Sequence, residues 1–248
     1  MMFKKLKMIS FLLLGLSLTI LNAQTVTDTD GNIYNTVKIG TQAWMAENLK
    51  VTAFNDGTKI PLITDGNVWA IPLTPGYCWY NNEESYKAAF GALYNWFVLD
   101  SSVNGGKNIC PVGWHIPDNS EWTILTGFLA SNGYGYNGNP MQMAKSMAAS
   151  SGWSSDLIAG NVGNDQSGNN SSGFAALPGG YRDFDGAFDS IGGYGGWWSS
   201  TEYDNENAFS QVLVYSSNNI GNYEYSKLVG FSVRCVSDIL HSPLAGKP

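Results

Sequence analysis

The segment Cys110-Pro111-Val112-Gly113-Trp114-His115-Ile116-Pro117-Asp118-Asn119-Ser120-Glu121-Trp122 sets a short apolar strand signal, a proline stop and a helix start in succession. Glu121 follows Asp118 by three residues. That is the spacing of a capping box, in which the first side chain takes an orphan backbone N–H and the second returns the contact. Trp122, Leu125, Phe128 and Leu129 then fall at helical spacing, so the helix is expected to turn this face inward. Upstream, Tyr86, Phe90, Leu93 and Phe97 recur at intervals of four, three and four, which predicts a helix from about Ser85 to Leu99.

Around these two helices the chain reads as short strands and turns. Asp30-Gly31 separates Thr25 to Thr27 from Ile33 to Ile39, Gly40-Thr41 follows, and Asp56-Gly57 marks another turn, all antiparallel hairpin signals. Beyond Ser131 comes a long stretch rich in Gly, Asn and Ser, with a short helix near Met141 to Ala149. Phe209 to Tyr215 alternates as a strand, a turn falls at Asn218-Asn219, and Gly230 to Val236 reads as a closing strand. The fold class is α+β: short antiparallel strands, two main helices and long irregular loops.

The first 23 residues read as a signal peptide. Lys4, Lys5 and Lys7 precede an apolar run from Met8 to Ile20, and Leu21-Asn22-Ala23 ends in a small residue suited to cleavage. The run is short for a membrane span of roughly 20 apolar residues, and no second one follows. The expected protein is therefore secreted or held at the cell surface, as one domain over residues 24–238 with a flexible tail at 239–248. Loss of three lysines leaves ten basic residues against twenty acidic, a balance of −10. That sign disfavours nucleic acid and anionic membranes as partners, since both need a basic face.

Three cysteines, Cys78, Cys110 and Cys235, fit one disulfide and one thiol in an exported chain, and spacing alone leaves three pairings open. His115 lies in an apolar strand motif and His241 in the tail, so neither suits a catalytic triad or a zinc site. Asp183, Asp185, Asp189, Glu202, Asp204 and Glu206 could serve as paired carboxylates or calcium ligands. No spacing selects a pair or a cation set, so calcium stays unassigned and no other cofactor is expected. The chain reads as non-catalytic.

The stretch Tyr203 to Lys227 carries the functional expectation. Tyr203, Asp204, Asn205, Asn207, Phe209, Gln211, Tyr215, Asn218, Asn219, Tyr223 and Tyr225 combine broad aromatic contact with adaptable hydrogen bonding, the mixture that antibody loops use. They are the candidate ligand-binding residues for an extracellular protein or glycan. Among nine tryptophans, Trp44, Trp79, Trp96, Trp114, Trp122, Trp197 and Trp198 are expected in the core. Trp69 and Trp153 are expected at the surface, where they would stack on sugar rings in a polysaccharide-binding module. A structural surface or adhesion component without a discrete ligand is the third reading.

Several longer motifs carry a resemblance. Asp30-Gly31-Asn32, Val37 through Leu49, Tyr77-Cys78-Trp79-Tyr80-Asn81-Asn82, Gly91-Ala92-Leu93-Tyr94-Asn95-Trp96 and Cys110 through Pro117 resemble the Fibrobacter succinogenes major paralogous domain. So do Ala176 through Arg182, Gly196-Trp197-Trp198-Ser199-Ser200-Thr201-Glu202 and Gly230-Phe231-Ser232-Val233-Arg234-Cys235-Val236. That family is similar to the C-type lectin and formylglycine-generating-enzyme folds. The resemblance implies chain ends that meet in one sheet, a disulfide between Cys110 and Cys235, and a ligand-facing side formed by the late hairpin. The reactive cysteine pair of the formylglycine-generating enzymes has no counterpart between Trp197 and Phe231. The Asn, Tyr and Ser mixture also resembles the outcome of retroelement diversification in some C-type lectin-like receptor-binding proteins.

Overall fold

Thr25–Thr27 (β1) and Ile33–Ile39 (β2) pair antiparallel across a turn held by Asp28, whose carboxylate accepts from the backbone N–H of Asp30 and Asn32 at 3.0 and 2.9 Å. The computed structural model describes residues 24–71 and 73–238; the expected leader and tail lie outside the described residues. Gly40 turns the chain at φ 62° into Gln42–Met45 (β3), which pairs back on β2. A short helix Gly66–Trp69 (α1) follows, capped by Asp65. No helix among the described residues is long and apolar enough to cross a membrane.

The single helix expected from Ser85 to Leu99 does not form. Its apolar residues are distributed over a helical turn Lys87–Phe90 (α2), a strand Leu93–Tyr94 and a 3-10 turn Trp96–Val98. Gly91 ends the helix at φ 76°, where a Cβ would stand 2.6 Å from the Leu49 carbonyl oxygen. Tyr77–Cys78 (β4) then pairs with Leu93–Tyr94 (β5), Tyr77 opposite Tyr94, and the strand pairing overrides the helical period. Ser101–Asn104 (α3) closes this region with Asp100 as its cap.

Trp114–His115 (β6) leads through Pro117 into Asn119–Ser131 (α4), and both contacts of the Asp118–Glu121 capping box are made. Trp122, Leu125 and Leu129 are buried and Phe128 is half-buried. Of the helix expected near Met141 to Ala149 only Ala144–Met147 (α5) is helical. Tyr181–Arg182 (β7) and Phe188–Asp189 (β8) form a small hairpin. Tyr194–Glu202 (β9), Asn207–Val214 (β10) and Gly221–Ser226 (β11) form a three-stranded antiparallel sheet with β10 in the centre.

The closing strand is narrower than expected: only Val236–Ser237 (β12) joins a ladder, between β3 and β6. The five-stranded order β1-β2-β3-β12-β6 therefore brings both ends of the described chain into one sheet. Gly230 to Ser232 make isolated bridges to Arg182, Tyr94 and Trp197, because this segment threads between the sheets instead of lying along one.

Trp197 and Trp198 are adjacent on β9 and so face opposite ways. Trp198 packs with Tyr94, Phe231 and the cysteine bridge, while Trp197 packs with Trp44, Trp122 and Phe174. Cys110 and Cys235 form a disulfide, with Cα atoms 6.0 Å apart and 125 residues between them in sequence. A loop of that size stabilises by about 4 to 5 kcal/mol in the chain-entropy model.

Trp69 and Trp153, expected at the surface, are 1% and 4% exposed. The Trp69 indole donates to the Leu228 carbonyl at 2.8 Å and stacks under the Arg182 guanidinium at 4.5 Å. Irregular segments with no sequence period fold over both rings, and this is why the surface expectation failed.

Candidate functional site

The long α4 helix and the β10–β11 hairpin leave a groove between them of about 370 Å³. Trp122, Thr123 and Thr126 come from α4, Met141 and Met143 from the following loop, and Gln211, Asn219, Ile220, Gly221, Asn222 and Tyr223 from the hairpin. None of these lining residues is charged. The two threonine hydroxyls donate inward to the helix carbonyls of Asn119 and Trp122, as hydroxyls on a helix commonly do. Gln211 differs: it is 4% exposed and its carboxamide lines the groove without a protein partner, and beside it the indole N–H of Trp122 is buried with no hydrogen-bond partner among the described residues. Asn222, its cross-strand partner, and Asn219 at the hairpin turn likewise have unpaired carboxamides.

Tyr223 lies over Gly221 so closely that a Cβ there would stand 2.1 Å from its ring. The glycine gives the ring its seat, and 53% of the tyrosine remains open to solvent.

The structure does not bring all the sequence candidates together. Gln211, Asn219 and Tyr223 meet at the groove. Tyr203, Asp204, Asn205 and Asn207 sit in the β9–β10 turn and the first residue of β10, roughly 14 Å or more along the strand from Gln211 at 3.4 Å per residue. There Asp204 accepts from the backbone N–H of Glu206 and Asn207, both at 2.8 Å, and these bonds hold its carboxyl below the usual range. Buried Lys227 bonds the Glu202 carboxylate and the Asn205 carbonyl and lies over Trp96. Phe209 packs edge-on against Tyr203.

Tyr225 is turned into the fold: its hydroxyl meets that of Tyr194 at 2.9 Å and its ring packs on Phe231. Tyr215 is half-buried against the Trp197 cluster, and the Asn218 carbonyl accepts from the Ala144 N–H. Trp122, Thr123, Thr126, Met141 and Met143 were not among the sequence candidates. Their positions 70 to 100 residues upstream of the hairpin carry no local signal of a shared groove.

The model of the Fibrobacter succinogenes major domain matches residues 37–237. The chain belongs to this family. No curated protein and no solved structure matches it.

Within this Fibrobacter succinogenes major domain the other chemistry-bearing side chains are engaged. His115 is held from both sides, Nε2 to Glu121 at 2.8 Å and Nδ1 to Asp238 at 2.5 Å. The bond to Glu121, with help from Asp238, raises its pKa to about 9. The ring thus ties the β6 strand, the start of α4 and Asp238 together. Cys78 is buried, and that burial pushes its thiol up to about 12. Asp183, Asp185 and Asp189 accept backbone N–H groups in the β7–β8 hairpin and the turn after it. Among the described residues no group of three His, Cys, Asp or Glu side chains is placed to hold a metal ion.

Proposed function

We propose that this member of the Fibrobacter succinogenes major domain family is an exported, non-catalytic binding module. It takes an extracellular protein or glycan at the late hairpin, with the α4/β10–β11 groove as the contact site. The observation that carries this reading is a pair of polar groups that the protein leaves without partners in the groove, the buried indole N–H of Trp122 and the Gln211 carboxamide beside it. Buried polar groups are ordinarily hydrogen-bonded, and one left open in a concavity is placed to bond a ligand. The occupied His115, the Cys110–Cys235 bridge and the buried Cys78 support the non-catalytic part. The shared sheet of the chain ends and the 110–235 bridge support the kinship with C-type lectin and formylglycine-generating-enzyme folds.

Retroelement diversification would meet structural limits at Asp204, Asn207 and Tyr225, whose side chains hold the turn or the core. The polysaccharide-binding alternative has lost Trp69 and Trp153 as stacking residues and would now depend on Tyr223.

The test is binding of the purified protein to a glycan array and a cell-surface protein panel, comparing Asn222→Ala, in the groove, with Tyr203→Ala, in the far turn. Selective binding, reduced at least fivefold by Asn222→Ala and unchanged by Tyr203→Ala, is the expected result. Binding to neither panel, or loss only with Tyr203→Ala, would refute the assignment.

A further inference from the structure

We infer that the groove between α4 and β10–β11 takes an uncharged saccharide without calcium, and that Gln211 reads neighbouring hydroxyls at its floor. The inference deepens the binding reading above and rests on it. Gln211 and Asn222 are register partners on β10 and β11, so their side chains share one face of the sheet, with Cβ atoms about 5 Å apart. Each carboxamide offers a carbonyl acceptor and an N–H₂ donor. Two of them side by side, with Asn219 at the turn, present alternating donors and acceptors that hydroxyl groups, each both donor and acceptor, can match.

The apolar half of the recognition is also present. Tyr223 follows Asn222 on β11, so its ring stands on the opposite face of the sheet, over Gly221, and the apolar contact within the groove falls to α4 and the loop after it. Trp122 and Met143 are buried at the base of the groove, and Met141 stands exposed at its rim. A volume of about 370 Å³ lies at the small end of ligand sites, suited to one or two rings and not to a long chain laid across it.

Charge decides between sugar classes. No Lys, Arg or His lines the groove to pair with a uronate, sialate or phosphate, and no Asp or Glu lines it to hold a calcium ion that would in turn hold hydroxyls. A peptide would more naturally use the open edge of β11, the outer strand of its sheet, since strand addition is satisfied by main chain. The unpaired groups here are side-chain amides facing the groove instead.

The experiment is calorimetric titration of the full protein in EDTA with neutral gluco-, manno-, galacto- and xylo-oligosaccharides and with acidic oligogalacturonate. It is repeated on Gln211→Met and Tyr203→Ala, with thermal melts on each. At least one neutral oligosaccharide should bind, tenfold or more weaker to Gln211→Met at unchanged melting temperature, and equally well to Tyr203→Ala. Its addition should also shift the Gln211 side-chain amide signal in a 1H–15N spectrum. Binding of oligogalacturonate alone, a requirement for calcium, or undiminished affinity in Gln211→Met would overturn the inference. If saccharides fail while a cell-surface protein binds and is lost with Asn222→Ala, the saccharide inference falls and the binding reading stands. Failure of both panels removes both.

Discussion

Arg234 and Gln211 are both almost wholly inside the protein, 0% and 4% exposed, yet the fold treats them in opposite ways. Around Arg234 every element supplies an acceptor. Its Nε bonds the Asn48 carboxamide oxygen at 3.0 Å, its Nη2 the Ala175 carbonyl at 2.7 Å, and its Nη1 the Phe174 carbonyl. Phe174 and Trp197 lie 4.2 and 5.6 Å from the guanidinium carbon. Even the backbone yields, since Ala175 holds a left-handed φ of 53° while its carbonyl bonds the cation. Arg182 and Lys145 are handled alike, on the carbonyls of Ile63, Thr64 and Gly186 and of Asn161, Asn164 and Asp165. At the groove nothing is supplied. A fold that pairs its buried cations so fully, while the Gln211 amide and the buried Trp122 indole N–H beside it go without partners, distinguishes polar groups that hold the structure from polar groups that do not.

The sharpest break in that comparison comes from removing the cation. Arg234→Leu should lose at least about 3 kcal/mol in urea unfolding, because the Phe174 and Ala175 carbonyls lose their donor while Asn48 keeps only the Trp197 indole. Arg234→Lys should recover only part of this, since an ammonium cannot present the planar fork. An unchanged midpoint for Arg234→Leu would mean that these carbonyls are not held by the guanidinium.

His115 is the intermediate case, fully paired but at the surface, with 40% of its side chain and 52% of Asp238 exposed. Its pKa in the folded protein is raised to about 9, so the proton is bound more tightly than in the unfolded chain. The stability it contributes is therefore complete below about pH 6.5 and is lost as pH rises through about 9. Solvent screening limits the effect to about 1 kcal/mol. Urea midpoints of the native protein and His115→Gln should differ at pH 6 and converge by pH 10. A constant gap would remove the ion pairs from the account.

The smallest expected change is at the groove. Gln211→Met keeps the volume and removes an amide that pairs with nothing in the protein, so stability should shift by less than about 1 kcal/mol, toward stabilisation if at all. A loss beyond 2 kcal/mol would place Gln211 with Arg234 as a structural group and dissolve the contrast.

Legibility in the sequence followed the range of each signal. The α4 helix was readable from Asp118, Glu121 and the apolar face, and β1, β2 and most of β10 from alternation and turns, because each rests on residues within a turn or a strand of one another. The helix expected over Ser85 to Leu99 was misread for the converse reason: Gly91 and the pairing of Leu93–Tyr94 with Tyr77–Cys78 act across the fold. Of the candidate site residues, composition correctly drew attention to the hairpin but could not divide it. Alternate residues of β10 and β11 face opposite sides, and the two turns stand at opposite ends.

The sequence by itself determined the α+β class, the family, the start of the long helix and the hairpin that borders the groove. Only the tertiary structure decided that Trp69 and Trp153 are covered, that Asp204 and Tyr225 are occupied, and that the Trp122 indole N–H is buried unpaired beside Gln211. The physical reason is that capping and alternation are settled among near neighbours in the chain. Burial and hydrogen-bond satisfaction depend on which distant segments pack against a side chain, and residues 89 positions apart carry no local mark of meeting.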